Sequence, residues 1–124
     1  MFQINALRKA LQAHLGWHGA RLTFLAMFLI ALFRVKTVNL TELATAFPSS
    51  AQSASSYKRL QRFFRDFELD YGTWTKFIIS LLNIPQPWTL SLDRTNWEFG
   101  GTVHNILMLG VVHQGVAIPL LWWM

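Results

Sequence analysis

The sequence predicts an α+β fold in which a group of helices precedes a small β-sheet. As far as Leu82, apolar side chains recur every three or four residues, which is the period of a helix. After the proline-containing segment 83–87 the runs become strand-like and are separated by glycine turns. We therefore predict a helical region over residues 1–83 and a β-region over residues 84–124.

The first part of the chain is predicted to form a small helical bundle. Residues 3–14 place Ile4 and Leu11 on one face with basic residues between them, and Gly16 can end this helix. Residues 18–34 are apolar on nearly all sides, which predicts a helix buried between its neighbours.

A short helix and a basic helix follow in the sequence. Asn39 and Glu42 have the spacing of a capping pair, which predicts a helix over residues 39–47. A proline then interrupts the chain, and the serines of segment 53–56 offer caps for a basic helix over residues 57–65. The order of short helix, turn and basic helix loosely resembles a helix-turn-helix, whose turn is shorter.

The last helix is predicted over residues 71–82, and the remainder of the chain reads as strands. Two turns with glycine, Gly100-Gly101 and Gln114-Gly115, separate the strand-like runs. Three strands are predicted, over residues 88–92, 102–112 and 116–123. Consecutive strands joined by short turns predict a three-stranded antiparallel meander.

Charge is distributed unevenly along the chain. Residues 1–65 contain nine Lys and Arg against a single acid, Glu42, which gives a net charge of +8. Residues 66–124 contain two basic and five acidic residues, a net charge of −3, and the two parts together give the overall +5. A strongly basic half of this kind is typical of proteins that bind polyanions.

The predicted basic helix concentrates this charge on one sector. Residues three apart on a helix lie close together, so its basic side chains form a stripe that suits phosphates. The stripe comprises Lys58, Arg59, Arg62 and Arg65. Nucleic-acid binding is the favoured interpretation, and a solvated basic surface without a ligand is the alternative.

Composition also bears on the cellular compartment. The chain has no cysteine, which excludes disulfides and thiolate metal sites and agrees with a reducing, cytoplasmic location. Its longest apolar stretch, residues 22–33, is shorter than the roughly 20 residues that a membrane-spanning helix requires. Neither a membrane partner nor a signal peptide is expected.

The run Leu90-Ser91-Leu92-Asp93 places one carboxylate at the expected end of the first strand. An acid in this position can simply accept hydrogen bonds from nearby turn amides. It can also serve as an oxygen ligand for Mg²⁺, although that ion needs several such ligands. The position of Asp93 in the sequence alone does not decide between a structural acid and a metal ligand.

The residues around this acid resemble a known catalytic motif. The segment 93–97, Asp-Arg-Thr-Asn-Trp, and the later segment 104–107, His-Asn-Ile-Leu, resemble the first catalytic block of insertion-sequence DNA transposases of the Asp-Asp-Glu class. The resemblance is greatest to the group founded on insertion sequence four. It extends over the basic helical region, with its Leu-Thr-Glu-Leu run at 40–43, and so covers most of the chain.

The resemblance implies a helical DNA-binding region over residues 1–83, followed by the first three strands of a ribonuclease H-like core. It assigns Asp93 as the first catalytic acid and a metal ligand, with Mg²⁺ or Mn²⁺ as cofactor for phosphoryl transfer. Arg94 and Asn96 are expected to contact the DNA backbone beside the scissile bond. The implied partner is double-stranded DNA at transposon ends.

The family's second Asp and its Glu have no counterpart here, so the chain is expected to be a truncated transposase that is inactive alone. Both residues would follow Met124, and neither Asp70 nor Glu98 lies where the motif requires an acid. Association with itself or with a full-length transposase is a further expectation. The alternative function is a non-catalytic DNA-binding protein or an inhibitor of the complete enzyme.

Overall fold

The computed structural model describes residues 2–68 and 70–124, which form five helices followed by three strands. This arrangement confirms the α+β class and the order of the elements. The helices are α1 (Phe2–Gln12), α2 (Gly19–Val35), α3 (Leu40–Thr45), α4 (Ser53–Asp66) and α5 (Tyr71–Leu82). The strands are β1 (Thr89–Phe99), β2 (Thr102–His113) and β3 (Val116–Trp123).

The chain divides into two compact units, Met1–Leu69 (the helical unit) and Asp70–Met124 (the sheet unit). This division lies earlier than the sequence-based boundary at residue 83, because α5 packs with the sheet. The Thr75 hydroxyl donates a hydrogen bond to the carbonyl of Leu120 on β3 at 3.3 Å. The rings of Tyr71 and Trp122 also meet edge-on, with their centroids 5.2 Å apart.

Five leucine side chains lie at the centre of the core of the helical unit. They come from every helix of the unit and from the segment after α1, and all are almost fully buried. They are Leu11, Leu15, Leu22, Leu43 and Leu60. The prediction that α2 is buried between its neighbours is confirmed in its central part, where residues 24–27 are all buried, and is wrong at its C-terminal end, where Phe33 is 79% exposed.

The helix ends of this unit show which predicted caps form. The Asn39 side chain accepts hydrogen bonds from the backbone N–H groups of Thr41 at 3.0 Å and Glu42 at 3.2 Å, which confirms the Asn39 half of the predicted capping pair. The backbone N–H of Asn39 donates to the Thr37 hydroxyl at 3.2 Å and not to Glu42. The serines at 53–56 are not caps, because α4 already begins at Ser53 with Gln52 preceding it.

The sheet is an antiparallel meander with the strand order β1-β2-β3, as predicted. Its turns have positive φ at both central residues, at Gly100-Gly101 and at Gln114-Gly115. Such turns match the twist of the strands that they join, so both glycine-containing signals in the sequence mark true hairpins.

The first strand is longer than predicted. It pairs with β2 along its whole length, from Thr89 opposite Val112 to Phe99 opposite Thr102. Asp93 therefore lies inside β1, opposite Met108, and not at a strand end. The prediction failed because the polar run after Asp93 resembled a loop, whereas pairing across the hairpin holds it extended.

An irregularity interrupts the pairing of β2 with β3. Leu109 pairs with Leu121 while Gly110 pairs with Pro119, so Leu120 is the extra residue of a β-bulge. A Cβ atom at Gly110 would lie 3.0 Å from the carbonyl oxygen of Ile118. Glycine at this position thus allows the backbone of β3 to approach closely.

We expect Leu60→Ala to lower the free energy of unfolding of the helical unit by about 2–5 kcal/mol, because it removes a fully buried side chain and leaves a cavity. Urea unfolding followed by far-UV circular dichroism measures this change. Leu81→Ala is the matched control, since Leu81 is 63% exposed on α5. Its effect should stay within about 0.5 kcal/mol, as for other surface substitutions. Equal losses in the two variants would contradict the assignment of Leu60 to the core.

Candidate nucleic-acid interface

An open groove on the helical unit brings together cationic and aromatic side chains from α2, α4 and the residue that follows α4. Its volume is about 510 Å³. We call it the arginine groove, and define it by Arg21, Arg59, Arg62, Phe24, Phe63 and Phe67. Two of these arginines belong to the stripe predicted from the sequence, whereas Arg21 was not among the predicted residues.

Stacked aromatic rings form the apolar part of this groove. The ring centroids of Phe24 and Phe63 lie 5.0 Å apart, which joins α2 to α4. Phe63 in turn stacks on Phe67 at 4.8 Å with an interplanar angle of 13°. Aromatic pairs at these separations contribute about 0.5–1.5 kcal/mol beyond the burial of their area.

Two arginines lie over these rings. The guanidinium carbon of Arg21 is 4.7 Å from the centroid of Phe67, and that of Arg59 is 5.1 Å from the centroid of Phe24. Contacts of this kind hold the charged plane by cation–π attraction. A ring occupies none of the hydrogen-bond donors of a guanidinium group with an acceptor oxygen, so the N–H groups of both arginines can still bind other acceptors.

Arg62, the third arginine of the groove, does not lie over one of these rings. Arg62 is exposed and lines the groove without a carboxylate partner within the described segments 2–68 and 70–124. The charge of Arg62 nevertheless contributes to lowering the pKa of nearby Asp66. Arg62 is therefore free to meet a ligand anion.

Arg65 is neutralised by its neighbour. Its Nε and one of its terminal nitrogens donate to the two carboxylate oxygens of Asp66 at 2.7 and 2.9 Å. The hydrogen bond from Arg65 is the main reason why the pKa of Asp66 lies below its usual value. Arg65 thus faces competition from Asp66 for any phosphate, which the sequence pattern alone did not show.

The structure therefore separates the four predicted DNA-binding residues of α4. Arg59 and Arg62 line the arginine groove, whereas Lys58 is exposed on α4 outside that lining and Arg65 is paired with Asp66. Arg59 is only half-exposed because its side chain covers Phe24. Two residues of the predicted stripe, Arg59 and Arg62, thus share this groove with Arg21.

Sequence spacing contained a signal for this grouping. Arg59, Phe63 and Phe67 are each four residues apart, so they follow one another along one side of α4 and its extension. The contribution of Arg21 could not be read in this way, because it depends on the packing of α2 against α4.

In the sheet unit, Asp93 is an exposed side chain whose cross-strand neighbours are apolar. Its Oδ1 accepts a hydrogen bond from the backbone N–H of Arg94 at 2.8 Å. Directly across β2 lies Met108, which is paired in turn with Trp122 on β3. The carboxylate thus stands on a sheet face whose nearest cross-strand positions supply no acid.

Arg94 and Asn96 do not share that face. Side chains alternate along a strand, so both residues project to the side of the sheet opposite Asp93. A terminal nitrogen of Arg94 donates to the side-chain oxygen of Asn105 at 3.0 Å, and Asn105 is the cross-strand partner of Asn96. The three residues expected to act beside one scissile bond are therefore split between two faces.

The donor set around Asp93 is incomplete for two-metal chemistry. Two divalent ions about 3.5–4 Å apart require several oxygen ligands besides one carboxylate. Within residues 2–68 and 70–124, no group of three or more His, Asp or Glu side chains is arranged to hold a metal ion. Asp93 remains a single potential oxygen ligand.

Comparisons with protein-family models, with curated proteins and with solved structures give no match for this chain. Within the part of the chain that the structure describes, no helix combines the length and the apolar character needed to cross a membrane.

We expect Arg65→Gln to raise the pKa of the Asp66 carboxyl group towards its usual value, because the substitution removes the hydrogen bond that chiefly lowers it. The lowered pKa means that this pair stabilises the folded chain above the unfolded-state pKa, and that the contribution is lost as the pH falls through the folded-state pKa. An NMR titration of the side-chain carboxyl carbons measures the value. The Asp70 carboxyl is an internal control, because its pKa is lowered chiefly by the Thr73 hydroxyl and should not move.

Proposed function

We propose that this chain binds double-stranded DNA through its helical unit, as part of a DNA transposase of the Asp-Asp-Glu class. The observation that carries the proposal is the grouping of Arg21, Arg59 and Arg62 around one groove with no opposing carboxylate ion pair in the described residues. Uncommitted arginines are the side chains that bind phosphate most effectively.

The charge of each unit supports this proposal. The helical unit contains nine Lys and Arg residues against three acids, a net charge of +6, while the sheet unit contains two basic and three acidic residues, a net charge of −1. Phosphate contacts supply most of the affinity of proteins for DNA of any sequence. Attraction to DNA should therefore reside in the helical unit.

The transposase part of the proposal rests on the sequence motif. The residues that follow Leu92 resemble the first catalytic block of these enzymes, and the antiparallel meander is compatible with the start of a ribonuclease H-like core. In the complete enzyme, Asp93 would be one ligand of Mg²⁺ or Mn²⁺ during strand cleavage and transfer. The other two acids would come from residues outside this chain.

A second candidate function is a DNA-binding protein without catalytic activity, such as an inhibitor of a full-length transposase. The position of Asp93 inside β1, opposite Met108, favours it, because the family places its first acid at a strand end. Both candidates share DNA binding by the helical unit and differ in whether Asp93 takes part in chemistry.

We expect Arg62→Gln to weaken binding to duplex DNA and to reduce the slope of log affinity against log salt concentration by about one, because one phosphate contact is lost. Fluorescence anisotropy with a labelled duplex at several salt concentrations measures both quantities. Arg34→Gln is the matched control, since Arg34 is an exposed arginine of α2 outside the arginine groove. An unchanged slope for Arg62→Gln would mean that Arg62 is solvated and does not contact DNA.

We expect the purified chain to bind duplex DNA without cutting it in Mg²⁺ or Mn²⁺, because one carboxylate cannot position two metal ions. Conversion of supercoiled plasmid to nicked circles measures the cleavage. Asp93→Asn should leave DNA binding unchanged, since Asp93 belongs to the sheet unit. Metal-dependent nicking that disappears in Asp93→Asn would instead show that the chain contains a working site.

A further inference from the structure

We propose that the arginine groove binds one unpaired nucleotide of a DNA strand, with its base on the exposed planes of the groove and its phosphate on the arginine N–H groups. This inference rests on the proposed DNA binding and adds the structural class of DNA that the groove prefers. Three features of one concave site carry it: stacked phenyl rings, guanidinium groups beside them, and arginine charges that form no ion pair with a carboxylate in the described residues.

The arginine planes provide a stacking surface for a base. The guanidinium group of Arg21 lies over Phe67, and that of Arg59 lies over Phe24 and is also 5.9 Å from the centroid of Phe47. Unpaired bases stack on aromatic rings and on guanidinium planes, because both are flat and polarizable. Since both guanidinium groups are already held in place, little conformational entropy is lost when a base stacks on them.

The shape of the groove suits the insertion of an unpaired base beside a bound duplex. A duplex is read by a helix or strand that protrudes into its groove, whereas this site is a depression between α2 and the end of α4. Phe63 and Phe67 are half-exposed at this depression. These two rings already stack on each other, and an extruded base would cover the parts that remain exposed, which duplex phosphates alone would not do.

The electrostatics of the groove suit the attached phosphate. His18 and Ala20, at the N-terminus of α2, line the site together with three arginines. The N-terminal end of a helix carries a partial positive charge that adds to theirs. The one acid of the groove, Asp66, is already paired with Arg65, so the site keeps a net positive charge.

The test compares three DNA ligands that share one duplex. The first is blunt, the second carries a short single-stranded thymidine extension, and the third carries an abasic extension of equal length. For the unaltered chain we expect the thymidine extension to raise affinity about tenfold over the blunt duplex, as base stacking does in other single-strand-binding proteins. The abasic extension should give a much smaller gain, since it adds phosphates without bases.

Arg21→Lys keeps the positive charge but removes the flat guanidinium group, so it should abolish most of the gain from thymidine. The gain is measured as the ratio of the affinities of the same variant for the extended and the blunt duplex, so a weaker phosphate contact, which affects both ligands, cancels. Arg34→Lys is the matched control and should keep the full gain. Arg59→Lys is a second variant with the same expected effect, in case Arg21→Lys disturbs the fold as judged by circular dichroism.

Equal gains from the thymidine and abasic extensions would overturn the stacking of a base, and so would a full gain in both lysine variants. The absence of any gain over the blunt duplex would overturn the proposal as a whole. In each of these cases duplex binding persists, so the outcome differs from a failure of the proposed function, in which the blunt duplex itself would not bind.

Discussion

The phenylalanine contacts between α2 and α4 determine where the positive charge of the helical unit lies. Phe24 meets Phe63, and Phe63 stacks on Phe67, so the two helices are joined along one line of rings. Arg21 and Arg59 lie over the two ends of that line. The hydrophobic packing that stabilises the unit therefore also fixes the orientation of its guanidinium groups.

Local features of the fold were predictable because they depend on residues close together in sequence. The Asn39 cap, the limits of α5 and the two hairpin turns follow from capping chemistry, apolar periodicity and the conformational freedom of glycine. The extension of β1 to Phe99 was not predictable in the same way. It depends on pairing with β2, and the polar run after Asp93 carries no strong strand signal of its own.

In the candidate site, too, contacts that depend on tertiary packing could not be predicted from the sequence. Sequence spacing identified the basic residues of α4 but could not show that Asp66 engages Arg65, since neighbouring residues on a helix can point apart. Nor could it show that Arg21, far away in sequence, lies beside Arg59 and Arg62. Both facts depend on tertiary packing and rotamers, which one sequence without structural information does not specify.

The two units differ in the kind of interaction that each can offer. The helical unit has a net charge of +6 and directs arginines into a groove, whereas the sheet unit is nearly neutral and exposes large apolar side chains such as Leu92 and Trp97. Attraction to phosphate is weakened by salt, but contact between apolar surfaces is not. Binding to phosphate by the helical unit should therefore weaken as salt is added, whereas an interaction formed by the apolar surface of the sheet should not.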